Sequence, residues 1–108
     1  MAQRLKELVL RTDGERVRRI ILFGSRARGD ASPDSDFDLL VVVRNLTPED
    51  AASYRLSLYR AFRGTGVAVE PWVMPEEEFE ETRGVIGGLA YPASNDGVLL
   101  YSREGHKC

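Results

Sequence analysis

A seven-residue strand-like run, a glycine–serine pair, a ten-residue spacer and two alternate aspartates constrain this chain more than anything else in it. The stretch reads VRRIILFGSRARGDASPDSDFDLLVVV, from Val17 to Val43. Val17 to Phe23 is short, β-branched and apolar, which suits a strand covered on both faces. Phe37 to Val43 is the strongest strand signal in the sequence. Between them, Gly24 to Gly29 reads as a tight turn, and Ser32-Pro33-Asp34 marks a polar loop. Two strands joined this way become neighbours. Gly24-Ser25 then lies at the end of one, beside Asp36 and Asp38 at the start of the next.

The remaining elements alternate helix and strand. Residues 2 to 12 predict a helix with Leu5, Leu8 and Val9 on one face, closed by Asp13-Gly14. Thr47-Pro48-Glu49-Asp50 is a helix start, with a threonine cap, proline in the first turn and acids at the positive end. Ala52, Leu56, Tyr59 and Phe62 repeat behind it at helical spacing, until Gly64 stops the helix. Val67 to Met74 reads as a third strand, and Pro71 within it points to a sheet edge or a bulge. Pro75 to Arg83 starts another helix, with Glu76, Glu77 and Glu78 at its positive end. Residues 85 to 93 are ambiguous, because Gly87-Gly88 and Pro92 weaken a helix there. Val98 to Tyr101 predicts a last short strand. The pattern is that of one α/β (α+β) domain over residues 1–108, a small mixed sheet flanked by helices.

Composition narrows the function classes. A chain of 108 residues with net charge -2 has no overall pull toward nucleic acid or an anionic membrane. The charge is uneven, however. Arg4 to Arg28 is mainly basic, while Glu70 to Glu81 carries six acids and no base. The acidic run reads as a helix-start preference on a solvated face. The lone cysteine, Cys108, excludes an internal disulfide and a cysteine-based zinc site. The segment MAQRLKELVL is too polar for a secretory signal, and no apolar run approaches the ~18 residues of a membrane span. A cytoplasmic protein, with no membrane association and no direct nucleic-acid binding, is expected.

The spaced acids carry the chemistry. Strand side chains alternate between faces, so Asp36 and Asp38 point the same way, roughly 7 Å apart along the backbone. Two carboxylates together repel and are costly to desolvate, and a divalent cation relieves both problems. Magnesium prefers a few carboxylates, several waters and phosphate oxygens. Gly24 lets the backbone approach a ligand closely. A short helix opening at Ser25 would aim its amides and hydroxyl at an anion. Arg26 and Arg28 are placed to neutralise phosphate charge. The competing readings are plain: strand-start acids in water and ordinary solvated arginines. Glu70 is a lone acid in the apolar strand VAVEPWVM. It reads either as a functional carboxylate or as an edge acid facing water.

These residues resemble the DNA polymerase β-type nucleotidyltransferase superfamily, and most of all its minimal branch (MNT), the antitoxin-like partners of HEPN proteins. The family pattern is Gly-Ser, about ten residues, Asp-x-Asp, and a third acid on a later strand. Here it stands as Gly24-Ser25, then Asp36-Phe37-Asp38, with Glu70 at the place of the third acid. The resemblance implies the nucleotidyltransferase fold, ATP as substrate and Mg2+ as cofactor. It implies that Gly24, Ser25, Arg26 and Arg28 hold the triphosphate, that Asp36, Asp38 and Glu70 bind metal, and that Glu70 accepts the proton of the incoming hydroxyl. It implies transfer of AMP to a hydroxyl of a partner protein, a HEPN-type toxin, within a toxin–antitoxin module. A homo- or hetero-oligomer is compatible with that role. The family's third acid is usually aspartate. Glutamate, followed here by Pro71, favours an alternative in which the fold neutralises its partner by binding, with weak or no turnover.

Overall fold

The computed structural model describes residues 2–24, 29, 36–82 and 97–103. Ser25, Arg26, Arg28 and the ambiguous segment 85–93 lie outside the described residues. In chain order the elements are α1 (Ala2–Asp13), β1 (Val17–Phe23), β2 (Phe37–Val43), α2 (Pro48–Ala61), β3 (Val69–Pro75), α3 (Glu76–Thr82) and β4 (Val98–Ser102).

The four strands form one mixed sheet in the order β3-β2-β1-β4. β1 runs antiparallel to β2 and to β4, and β2 runs parallel to β3. The β1–β2 pair follows from the polar connection between two apolar strands. A parallel β2–β3 pair needs a crossover, and α2 provides it. Among the described residues β3 is an edge strand, the first of the two positions Pro71 allowed, since proline has no N–H for a ladder bond.

Alternation along the central strands divides the core between two faces. Phe37, Leu39, Val41 and Val43 pack with Ile20, Leu22, Leu5, Val9, Leu58 and Phe62 beneath α1 and α2. On the other face Leu40, Val42, Ile21 and Met74 pack around Phe79 of α3. A register shift between Val17 and Arg19 in β1 lets Arg19 share the α3 face. There its guanidinium stacks on the Phe79 ring at 5.1 Å and donates to Glu80 at 3.0 Å. Arg18 pairs with Glu76 at 3.1 Å. Part of the acidic run thus pairs α3 with the basic strand β1, where the sequence suggested a helix-start preference on a solvated face or, less favoured, a surface for a basic partner.

α2 begins as its sequence predicts. Thr47 Oγ1 accepts from Asp50 N–H at 3.2 Å, Pro48 opens the helix, and the chain turns after it at Gly64, φ 87°. Its buried face keeps only Phe62 of the expected stripe. Leu58 and Phe62 are buried, with Ala51 and Tyr54 packed beside them, whereas Leu56 and Tyr59 are exposed. The Ala52–Leu56–Tyr59 stripe is the outer one. Helical period alone leaves a choice between overlapping stripes of similar hydrophobicity, and the direction in which α2 crosses the sheet decides it. Among the described residues no helix is long and apolar enough to cross a membrane.

Candidate nucleotide and metal site

The site forms where β1 ends and β2 begins. Phe23, the last residue of β1, pairs with Asp38, so Gly24 leaves the strand directly beside that aspartate. Gly24 has φ 79°, and a β-carbon built on it would lie 2.5 Å from Asp38 Oδ2. Glycine is favoured here by its backbone angle, and any β-carbon would also push the Asp38 carboxylate aside. Asp36, just ahead of β2, is exposed, and Asp38 is half-buried. Asp38 falls on the face of Leu40 and Val42 by strand alternation, and the same alternation continued to Asp36 would put it on that side too. Asp38 is thus held against a close-packed glycine turn while Asp36 stays open to solvent. Two neighbouring carboxylates are donors of the kind that suits a hydrated divalent cation.

Glu70 reaches the same neighbourhood by backbone but not by side chain. It is the register partner of Asp38 across the parallel β2–β3 pair, just as Met74 is the partner of Val42 on the α3 face. Its carboxylate, however, is held by α2. Glu70 Oε2 accepts from Arg55 Nη2 at 2.5 Å and from the Tyr59 hydroxyl at 2.7 Å. Donation to that carboxylate raises the Tyr59 phenol above its ordinary pKa. Arg55 Nε donates to the Pro71 carbonyl at 2.6 Å, and its guanidinium covers the Trp72 ring at 4.6 Å. Among the described residues no three acids, histidines or cysteines are grouped as metal ligands.

Gly24 and Asp38 are therefore brought together, Asp36 lies exposed just ahead of β2, and the Glu70 carboxylate is engaged elsewhere in its contacts. Arg55 is the residue that sequence reading passed over. Its one local signal is the four-residue spacing to Tyr59 on α2, which puts both side chains on one helix face. An open groove of about 230 Å³, lined by Arg16, Asp50, Ser53, Tyr54 and Ser57, shares no residue with the site. It lies toward the other end of the β1–β2 pair, where Arg16 donates to the carbonyls of Arg44 and Asn45.

A small mixed sheet with a glycine turn packed on the second acid of an Asp-x-Asp pair is the frame of a nucleotidyltransferase. The chain belongs to the nucleotidyltransferase domain family, whose sequence profile matches residues 2–91. Its fold is similar to that of a Sulfolobus solfataricus protein assigned as a nucleotidyltransferase. The two are 26% identical, with a TM-score of 0.66 over 94% of this chain and 78% of that one. It is also similar to a toxin–antitoxin structure with AMP-PNP, at 19% identity and a TM-score of 0.64, covering 96% and 76% of the two chains. A mutant of the toxin–antitoxin MntA-HpeT bearing two aspartate-to-glutamate changes gives 17% identity and a TM-score of 0.62, with the same coverage. These last two likenesses are of fold. Comparison with curated proteins gives no match.

Proposed function

We propose that this protein transfers AMP from ATP to a hydroxyl of a partner protein, as the antitoxin of a toxin–antitoxin pair whose toxin is a HEPN-type helical protein. The observation that carries the reading is the packing of Gly24 on Asp38, with Asp36 just ahead of β2, in a chain of the nucleotidyltransferase family. Fold likeness to toxin–antitoxin structures, one of them with AMP-PNP, supports the partner and the nucleotide.

In this reading Asp36 and Asp38 hold Mg2+, and Gly24, Ser25, Arg26 and Arg28 hold the phosphates of ATP. A magnesium ion bound there supplies charge neutralisation at the α-phosphate as pyrophosphate departs. Gly24 admits the phosphates close to the backbone, and the rigid β1–β2 pair keeps Asp38 oriented toward them. Glu70 is the third acid and accepts the proton of the acceptor hydroxyl once its carboxylate is free to do so.

The test mixes the purified protein with the product of its neighbouring gene, MgCl2 and labelled ATP. A partner mass gain of one or more AMP units, lost in Asp36→Asn and Asp38→Asn, is the expected result. A second reading is favoured by the engagement of Glu70 with Arg55 and Tyr59. In it the protein neutralises its partner by binding alone. A stable, inhibitory complex with no mass change would select that reading and exclude transfer.

A further inference from the structure

Glu70 and Asp38 stand side by side on parallel strands, so their β-carbons are about 5 Å apart and their carboxylates could meet over one cation. Instead, the Glu70 carboxylate is bonded to Arg55 and Tyr59 of α2, and β3 is an edge strand among the described residues. α2 packs on the opposite face of the sheet, through Ala51, Tyr54, Leu58 and Phe62. Arg55 therefore reaches Glu70 past the margin, and its bond to the Pro71 carbonyl fixes that path. Among the described residues the guanidinium is held by Glu70, the Pro71 carbonyl, the Tyr59 hydroxyl, the Trp72 ring and the Tyr59 ring, the last at 5.5 Å. Tyr59 adds a second donor to the same Glu70 oxygen. The Arg55 and Glu70 side chains are each only about a third exposed (33%/33%), so the pair is partly shielded and its hydrogen bonds are charge-assisted.

We propose that Arg55 and Tyr59 form a latch that keeps Glu70 off the metal pair in the nucleotide-free chain, so that Arg55 and the cation compete for one carboxylate. The inference rests on the metal site assigned above to Asp36 and Asp38. The free chain is a two-carboxylate site of low metal affinity. The three-carboxylate site exists only after the Arg55 contact is exchanged for metal. Glutamate fits this device better than aspartate, because its extra methylene lets the carboxylate reach either the margin of β3 or the space beside Asp38. Arg55 and Tyr59 are thus positioning residues that act through Glu70.

Mn2+ binding to the purified full chain, followed by electron paramagnetic resonance without nucleotide, tests the latch. Arg55→Gln should tighten Mn2+ binding about fivefold, a change matching the loss of one partly exposed ion pair. Tyr59→Phe should tighten it less. The gain should vanish in Arg55→Gln/Glu70→Gln. Unchanged affinity in Arg55→Gln overturns the proposal. So does a gain that persists in the double variant, because removal of positive charge would then be its whole cause. Arg55→Met serves as a second variant, with circular dichroism melts showing that each protein is folded at the assay temperature. Asp38→Asn separates the two readings. If Mn2+ binding survives that substitution, the metal site itself is misassigned; if binding depends on Asp38 while Arg55 has no effect, only the latch fails.

Discussion

Gly24 and Asp38 lie so close that a β-carbon on residue 24 would stand 2.5 Å from Asp38 Oδ2 and displace that carboxylate. The contact joins the end of β1 to the second acid of the Asp-x-Asp pair, and it links backbone conformation directly to the chemistry proposed for the site.

Gly24→Ala should therefore injure both stability and function. The residue adopts φ 79°, which costs an alanine on the order of 1 kcal/mol, while the contact with the movable Asp38 carboxylate adds little. A loss of about 1 kcal/mol in urea titrations is expected. Because the contact is relieved by moving Asp38, the proposed transfer to a partner protein should fall by on the order of a hundredfold. An alanine variant with wild-type turnover would show that Asp38 needs no such support.

The inner and outer stripes of α2 can be told apart by truncation. Leu58 is fully buried, and Leu56 is 49% exposed. Leu58→Ala should cost about 2–5 kcal/mol, and Leu56→Ala about 0.5 kcal/mol or less. Equal losses in parallel denaturation curves would contradict this orientation of the helix.

Thr47 caps α2 through its hydroxyl, which accepts from Asp50 N–H. Thr47→Ala should cost about 1 kcal/mol, and Thr47→Ser or Thr47→Asp should restore most of it. Chemical denaturation of the three variants provides the check. A silent alanine substitution would mean that Pro48 and the first-turn acids suffice to start the helix.

Tyr54 sets an alkaline limit on the fold. Burial raises its phenol above the ordinary value of 10, and the Asp13 carboxylate pushes the same way. Below pH 10 the phenol is protonated in both the folded and unfolded states, and its contribution to stability is complete. Above pH 10 the unfolded chain ionises first, so folding weakens by up to about 1.4 kcal/mol per pH unit until the folded phenol also titrates. Tyr54→Phe should remove that share of the decline. Near neutrality the same variant should be as stable as wild type, or about 1 kcal/mol more so, because Tyr54 Oη is buried with no hydrogen-bond partner among the described residues. Melting temperatures of both proteins from pH 7 to 11 check both parts.

What could be read from the residues in order was local. The apolar runs at Val17–Phe23 and Phe37–Val43, the turn glycine before Ser25, and the Thr47-Pro48 helix start all act through neighbours a few positions away. Their signals survive without knowledge of the fold. The spacing of Gly24, Asp36 and Asp38 was enough to bring those residues to one end of a strand pair, since antiparallel neighbours joined by a polar loop leave little other choice. Tertiary structure alone decided which stripe of α2 faces the core, that Arg18 and Arg19 meet Glu76 and Glu80 some sixty positions away, and that Glu70 bonds to Arg55 and Tyr59 rather than standing free beside Asp38. Each of these is a choice among partners of matching charge or hydrophobicity. Such a choice is settled by which elements the sheet order sets side by side, and residue type carries no record of it.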